Sequence, residues 1–309
     1  MRILVLGGNG FIGSHLVDKL RSEDHSVAVF DRRNELFRKP LSDVDYHYGE
    51  FGNRGLLSEA LEKADLVYHL ISTTLPKTSN DDPAFDIQSN VVETIFLLEK
   101  CVDKHVKRVV FISSGGVVYG RHHEYPLGEG SPTNPECSYG ISKLTIEKYL
   151  DLFQRLYGLG YTIIRPSNPY GERQDPRGIQ GTIPIFLGKV AKKEPIEVWG
   201  DGKIERDYIY IEDLVEGIYR ASVLDTKSRI FNLGGGNAYS INDLIDLVRQ
   251  VTSLPVSVTY TKGRTFDIPK VHLDIRRANS ELSWAPRMPL KEGINRTWGF
   301  IKSLGSDYY

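Results

Sequence analysis

Four glycines near the start of the chain constrain it more than any other feature. Gly7, Gly8, Gly10 and Gly13 lie between an apolar run at residues 2–6 and a segment whose apolar residues recur at helical spacing: Phe11, Ile12, Leu16, Val17 and Leu20. The run has the look of a buried parallel strand, and the segment that of a helix packed on it. Glycines at such a junction allow a tight turn, a backbone close to a pyrophosphate, and close helix-on-strand contact. The helix N-terminus then offers N–H groups and a positive dipole end to phosphate oxygens. The glycines fit two registers, Gly8-x-Gly10-x-x-Gly13 and Gly7-x-x-Gly10-x-x-Gly13. A second apolar run, 26–30, ends in Asp31, an acid about 20 residues on, where a ribose hydroxyl is held in units of this kind. A glycine-rich turn without a ligand is the alternative, and the strand–turn–helix–strand context weighs against it.

The rest of the chain continues that rhythm. Short strands are expected at 45–48, 66–70, 108–113 and 161–164, with helices at 54–62, 87–102 and 138–157 between them. Ile87, Val91, Ile95, Leu98 and Val102 give the 87–102 helix an apolar face. Strands alternating with helices at this spacing predict an α/β fold, a Rossmann-type doubly wound parallel sheet. Ligands then belong at the carboxyl ends of the strands, where Gly7, Asp31, Ser72 and Ser114 fall. Past Arg165-Pro166 the rhythm breaks into a Pro- and Gly-rich stretch, 166–181. Helices follow at 184–191, 241–251 (capped by Ser240) and 290–301, with strands at 196–198 and 256–260. This half predicts a smaller, interleaved α/β lobe. The expected division is a dinucleotide-binding domain over 1–166, rejoined by segments around 206–235 (a helix at 211–224 and a strand at 230–233), and a substrate lobe over 167–309.

The totals exclude more than they assign. A chain of 309 residues can bury a substantial core, and a net charge of −1 gives no reason to expect nucleic acid or an anionic membrane as partner. The apolar runs are strand-sized, short of the ~20 residues of a spanning helix. The first residues read as a core strand and not as a signal peptide, which points to the cytoplasm. Cys101 and Cys137 are too few for a disulfide framework, and their spacing suits no metal site. Cys101 falls on an apolar helix face; His122-His123 falls in a polar loop and reads as solvated.

Tyr139 and Lys143 are four apart on an expected helix, hence on one face. A phenol titrates near about 10, so making it a base near neutrality takes roughly 3 units, or about 4 kcal/mol. One ammonium about 4 Å away supplies around 4 kcal/mol at an effective dielectric near about 20. The lysine is therefore of the right size to tune the tyrosine, and a nicotinamide cation would offset the desolvation penalty. An exposed Tyr and Lys without a role remain the alternative for the pair taken alone.

Gly7-x-x-Gly10-x-x-Gly13, Asp31, the string Ser113-Ser114-Gly115-Gly116-Val117-Val118-Tyr119-Gly120, Tyr139-x-x-x-Lys143, Arg165-Pro166-Ser167-Asn168-Pro169-Tyr170-Gly171 and Arg206-Asp207-Tyr208 occur in that order. Together they resemble the extended short-chain dehydrogenase/reductase family, and within it the NAD-dependent sugar-nucleotide epimerase branch, nearest the UDP-glucose 4-epimerases. The resemblance runs from residue 1 to about 298. It implies NAD on Gly7, Gly10, Phe11, Ile12 and Gly13, with Asp31 and Arg32 at the adenosine ribose and Glu50 and Phe51 flanking adenine. Leu70, Ser72, Asn90 and Pro166 would complete the cofactor site, Asn90 bracing the strand beneath it. Tyr139 would be the base, Lys143 would bind the nicotinamide ribose and lower the tyrosine pKa, and Ser114 would assist. Substrate would be met by Ser114, Gly115, Tyr139, Asn168, Thr182, Trp199, Arg206, Arg264 and Asp267. Two arginines suit a diphosphate because each offers a charged fork of donors; surface ion pairs of Arg206 and Arg264 with Asp207 or Asp267 are the plainer reading. A homodimer through the helices at 87–102 and 138–157 is implied as well.

The chain also departs from the family pattern. Gly115 stands where relatives carry a Ser or Thr for the sugar 4-oxygen, so Ser114 or Tyr139 itself must serve. Gly116 and Val117 replace the Asp-Glu pair of dehydratases, which argues against dehydration. Ser72-Thr73-Thr74 differs from the Ala-Gly-x-Lys of many 4-epimerases. Val271, where bulky aromatic side chains restrict some relatives to plain hexoses, should leave room for an N-acetyl group. The expected activity is 4-epimerisation of a UDP-glucose/UDP-galactose type sugar through a 4-keto intermediate, in an isomerase that retains NAD. A 4-keto-6-deoxysugar-nucleotide reductase consuming NAD(P)H and a non-catalytic NAD-binding sensor remain alternatives.

Overall fold

Runs of consecutive apolar residues become strands buried on both faces. The computed structural model describes residues 1–263 and 268–305. Along the chain lie β1 (Arg2–Leu6), α1 (Phe11–Ser22), β2 (Ser26–Asp31), β3 (Asp45–Tyr48), α2 (Arg54–Ala60), β4 (Leu66–His69), α3 (Pro83–Asp86), a π-helical turn (Ile87–Val92), α4 (Glu93–Asp103), β5 (Arg108–Ile112), α5 (Ser138–Tyr157) and β6 (Gly160–Pro166). Then come β7 (Asn168–Tyr170), α6 (Thr182–Lys192), β8 (Ile196–Trp199), β9 (Glu205–Tyr210), α7 (Ile211–Val223), β10 (Ile230–Leu233), β11 (Ala238–Ser240), α8 (Ile241–Thr252), β12 (Val258–Thr261), α9 (Arg276–Leu282) and α10 (Leu290–Ser303).

Seven strands form one sheet in the order β10-β6-β5-β4-β1-β2-β3. The registers from β3 through β6 are parallel. The order reverses between β1 and β4, and that switch point is where a parallel sheet opens a crevice at its carboxyl edge. Ile3, Leu4, Val5, Leu6, Val109, Val110 and Phe111 are wholly buried, as a strand covered on both faces requires. Contacts divide the chain into two compact units. One holds Met1–Gly120, Ser131–Arg165 and Val215–Phe231; the other holds Arg121–Gly130, Pro166–Leu214 and the chain from Asn232 on. The second unit carries a three-stranded sheet, β11-β9-β7, and the parallel pair β12-β8.

Two local outcomes differ from the sequence expectation. The helix expected over 87–102 starts earlier and is not uniform. Asp82 caps α3 by accepting from the Phe85 N–H, with Pro83 in the first turn, and six residues of wider π turn then intervene before α4. That turn shifts the register, leaving Ile87 46% exposed while Asp86, Asn90 and Val91 are buried. The second outcome is that β7, β9, β11 and α9 occupy stretches where no element was expected. Helix α5 runs over its expected span and stops where Gly158 takes a left-handed φ of 73°. Ser240 caps α8 in a reciprocal box with Asp243.

Candidate active site

The glycine turn leaves β1 with Gly7 at φ 82°, and the Gly7 N–H donates to the Phe30 carbonyl at 2.8 Å, tying the turn to β2. A Cβ on Gly13 would lie 2.1 Å from the Gly7 carbonyl oxygen and 2.7 Å from the Gly8 Cα. Only a bare backbone lets α1 approach β1 this closely. Gly10 is the N-cap of α1 and no side chain caps it, so the first-turn N–H groups of Phe11, Ile12 and Gly13 present a ready anion cradle. At the end of β2, the Asp31 carboxylate accepts from the N–H groups of Asn9 (3.0 Å) and Arg33 (3.3 Å). Burial raises its pKa and these donors oppose that. With two bonds made, lone pairs remain for a ribose diol. Arg32 is exposed beside it. Glu50 is exposed, whereas Phe51 is buried with its ring 5.2 Å from that of His69. These residues fit a dinucleotide: an uncapped helix start for the pyrophosphate, an acid at the next strand end for the ribose.

Tyr139 sits in the first turn of α5. The Cys137 cap makes no side-chain bond; instead Asn80 Oδ1 accepts from the Ser138 N–H (2.9 Å) and Ser79 Oγ from the Tyr139 N–H (3.0 Å). The loop after β4 thus caps α5 from about 60 residues away. Lys143, one turn on, is buried and donates from Nζ to the Ile112 carbonyl at 2.9 Å. Its Nζ lies 4.7 Å from the Phe111 ring centre and 5.6 Å from that of Tyr139. Burial lowers the Lys143 pKa to about 8, against the pull of the Asp86 and Glu147 carboxylates. Burial pushes the Tyr139 phenol up to about 12, and a hydrogen bond with Ser72 only partly offsets it. In the protein alone, then, desolvation is the largest influence on the phenol.

A carboxylate that the sequence reading passed over lies beneath this pair. Asp86, wholly buried, accepts from Ser138 Oγ and Ser142 Oγ (2.7 Å each), from Asn90 Nδ2 (3.0 Å) and from Thr74 Oγ1. Asn90 Oδ1 in turn accepts from the Thr73 N–H at 2.9 Å, fixing the loop after β4. Ser72, Asp86, Asn90, Tyr139, Ser142, Lys143 and Ile146 line one small concavity. The signal in the sequence was two polar pairs at helical spacing, Asp86/Asn90 and Ser138/Ser142, each at a helix start where such residues usually read as caps.

The end of β5 separates its two serines. Ser113 Oγ donates to Glu147 Oε1 (2.5 Å), and Glu147 is bound bidentately by Arg165 (2.5 and 3.0 Å), whose third bond goes to the Tyr119 hydroxyl at 3.0 Å. Ser114 is partly buried, and Gly115 beside it is buried and offers no hydroxyl. Leu70 and Ser72 are partly buried beyond β4, and buried Pro166 ends β6.

In the second unit Asn168 Nδ2 donates to the Asp207 carbonyl (2.9 Å) and Arg206 Nη1 to the Glu205 carbonyl (2.9 Å). The Asp207 carboxylate is not the surface partner of Arg206: it is buried and accepts from the N–H groups of Gly235 (2.6 Å) and Leu273 (3.3 Å). Burial raises its pKa to about 6. Trp199 is 40% exposed, its Nε1 donating to Glu197 at 2.8 Å; Thr182 opens α6 and is partly buried, and Val271 is buried. Arg264 and Asp267 lie outside the described residues.

The profile of the NAD dependent epimerase/dehydratase family matches residues 3–234. UDP-glucose 4-epimerase of Mycolicibacterium smegmatis is 36% identical over 312 residues, spanning 98% of this chain and 99% of that protein. Among solved structures, UDP-glucose 4-epimerase of Thermotoga maritima with UDP-glucose superposes with a TM-score of 0.94 at 33% identity, over 98% of this chain and 99% of that one. The Thermus thermophilus UDP-glucose 4-epimerase in complex with NAD gives 0.93 at 29%, over 99% and 100%.

Proposed function

The chain belongs to the NAD dependent epimerase/dehydratase family, and from that premise we propose that it is an isomerase interconverting the C4 epimers of a UDP-hexose of the UDP-glucose/UDP-galactose type. The observation that carries the reading is the convergence of Tyr139, Lys143 and Ser72 on one concavity, in the unit that also holds the glycine turn. Its cofactor is NAD, held by the α1 N-terminus, Asp31 and the loop braced by Asn90. When bound, NAD supplies the oxidation and re-reduction of the sugar's C4 and brings positive charge on its oxidised ring.

Tyr139 takes the proton of the 4-hydroxyl as C4 becomes a ketone and returns it when the alcohol re-forms on the other face. The protein by itself keeps that phenol protonated, with its pKa pushed up to about 12. It becomes a base only with added positive charge at the site, so proton uptake is coupled to the oxidised cofactor. Lys143, fixed by Ile112, contributes its ammonium and a donor for the nicotinamide ribose. Ser114 supplies the hydroxyl that Gly115 cannot.

Asn168, Thr182, Trp199 and Arg206 are assigned to the nucleotide diphosphate and base, with Arg264 and Asp267. Val271 is assigned to the sugar's N-acetyl margin, so that UDP-N-acetylglucosamine is accepted alongside UDP-glucose. The chain is proposed to act as a homodimer through the outer face of α5, where Ile141, Leu152, Leu156 and Tyr157 are 42–60% exposed, together with Phe85 and Ile87. The proposed location is the cytoplasm, whose reducing conditions suit two free cysteines. Among the described residues no helix is long and apolar enough to cross a membrane.

Incubation of the pure protein with a panel of UDP, dTDP, GDP and CDP sugars, products being resolved by chromatography, tests the reading. Interconversion of UDP-glucose and UDP-galactose without net use of added dinucleotide is expected. No epimer from any sugar, or stoichiometric NADH consumption with a 4-keto sugar nucleotide, would overturn it.

A further inference from the structure

Two buried carboxylates act on Lys143, and the structure treats them differently. Glu147 is neutralised where it stands, gripped by both arms of the Arg165 guanidinium. Asp86 has neutral partners: three hydroxyls, of Ser138, Ser142 and Thr74, and the amide of Asn90. Four neutral donors satisfy this wholly buried carboxylate without bringing a formal charge to cancel its own. It shares the lining of one concavity with Lys143 and Tyr139, where the dielectric is low and a lone charge acts strongly. The π-helical turn that begins after it carries Asn90 inward, so the backbone departure and the buried charge occur together.

We infer that Asp86 is a positioning residue for the reaction: it is the counter-charge that keeps the Lys143 ammonium charged in its buried seat, and through Ser138 and Ser142 it sets the start of α5 that presents Tyr139. The inference rests on the reading of Tyr139 and Lys143 given above. Other titratable groups facing these two are Glu147 on the same helix, Cys137 before it, His69 on β4 and Arg165 on β6. His69 is held neutral by burial, its pKa lowered to about 3, and Glu147 and Arg165 offset each other, so the uncompensated charge is that of Asp86. Removing it should lower the titration of both the ammonium and the phenol, since a carboxylate favours the protonated form of each.

The test is Asp86→Asn, which keeps the shape and acceptors for the two serines. In protein carrying isotope-labelled lysine, with Lys143→Met to assign the resonance, the NMR titration midpoint of Lys143 should fall by about one pH unit or more relative to wild type. In turnover assays both limbs of the pH profile of kcat/KM should move to lower pH by a similar amount. An unmoved Lys143 midpoint overturns the inference, and so does a loss of activity with both limbs in place, which is what a merely structural role would give. Should Asp86→Asn fail to fold, Ser142→Ala decides: stripping one donor leaves more of the carboxylate's negative charge to act on Lys143, whose midpoint must rise; if it stays, the inference falls. Because the titration needs no substrate, a chain inactive on every sugar nucleotide would sink the functional reading while the Lys143 midpoint still judged Asp86.

Discussion

Lys143 Nζ donates to the Ile112 carbonyl at 2.9 Å, so α5 is fastened to the end of β5 by a buried ammonium as well as by apolar packing. Its burial makes stability depend on pH in a direction opposite to that of a paired surface lysine. The Lys143 pKa falls to about 8 in the fold, from about 10.4 in an open chain. Below about pH 8 both states hold the proton and the burial penalty stands in full. Between about 8 and about 10 the unfolded chain still binds a proton that the folded one has released, so stability from this group rises with pH. Urea unfolding of the dinucleotide-free protein should show wild type gaining on Lys143→Met across that window, by at most about 1.4 kcal/mol per pH unit. A difference flat with pH would contradict it.

Tyr139→Phe removes the proton acceptor and leaves the ring. Turnover should drop by about a hundredfold to ten-thousandfold, while the dinucleotide that copurifies and the midpoint of thermal unfolding stay near wild type. Near-normal activity would mean that another group takes the proton.

Gly13→Ala puts a methyl 2.1 Å from the Gly7 oxygen, and neither backbone can yield without reshaping the turn. A loss of about 1–3 kcal/mol is expected, along with most of the bound dinucleotide, read by denaturant unfolding and by absorbance of the purified protein. Gly299 in α10 has open space where its Cβ would go, so Gly299→Ala should instead stabilise, by up to about 1 kcal/mol.

Arg165 and Glu147 are 3% exposed each. Replacing one partner strands the other's charge in the core, so Arg165→Met should cost about 3–5 kcal/mol by urea unfolding. Adding Glu147→Gln to Arg165→Met should recover part of that loss, because the orphaned carboxylate is gone. A double variant weaker than Arg165→Met by the full cost of a second lesion would show that the two groups act independently.

What could be read ahead from the sequence was what is local. The glycine turn, the Asp31 strand end and the Tyr139/Lys143 spacing each lie within one strand–helix unit, and α5 was legible to its last residue because Gly158 stops it. Short strands were harder. β7 contains Pro169, which reads as loop; it is tolerated because β7 is the edge of its sheet. β9 opens with three charged residues, Glu205, Arg206 and Asp207, and so lacks an apolar run. Asp86, the capping of α5 by Ser79 and Asn80, and the Glu147–Arg165 pair depend on partners 18–60 positions apart, which periodicity does not see. The tuning of Tyr139 was only half legible: the spacing pairs it with Lys143, but the size of the desolvation, which a nicotinamide cation is left to offset, depends on the packing around the phenol.

β10 reaches the seven-stranded sheet from a point more than 60 residues after β6, with Ile163 donating to the Arg229 carbonyl at 2.7 Å where the two strands meet. During synthesis, therefore, a nascent chain released as far as β6 exposes the unpaired flank of that strand until the ribosome has delivered residues 215–231. Over that interval β6 is a template for another chain's strand, and aggregation of truncated products should concentrate on chains ending between the two. A chaperone would have most to do in that window, and synonymous changes that slow translation between the codons for β6 and β10 should lower the yield of folded protein without altering any residue.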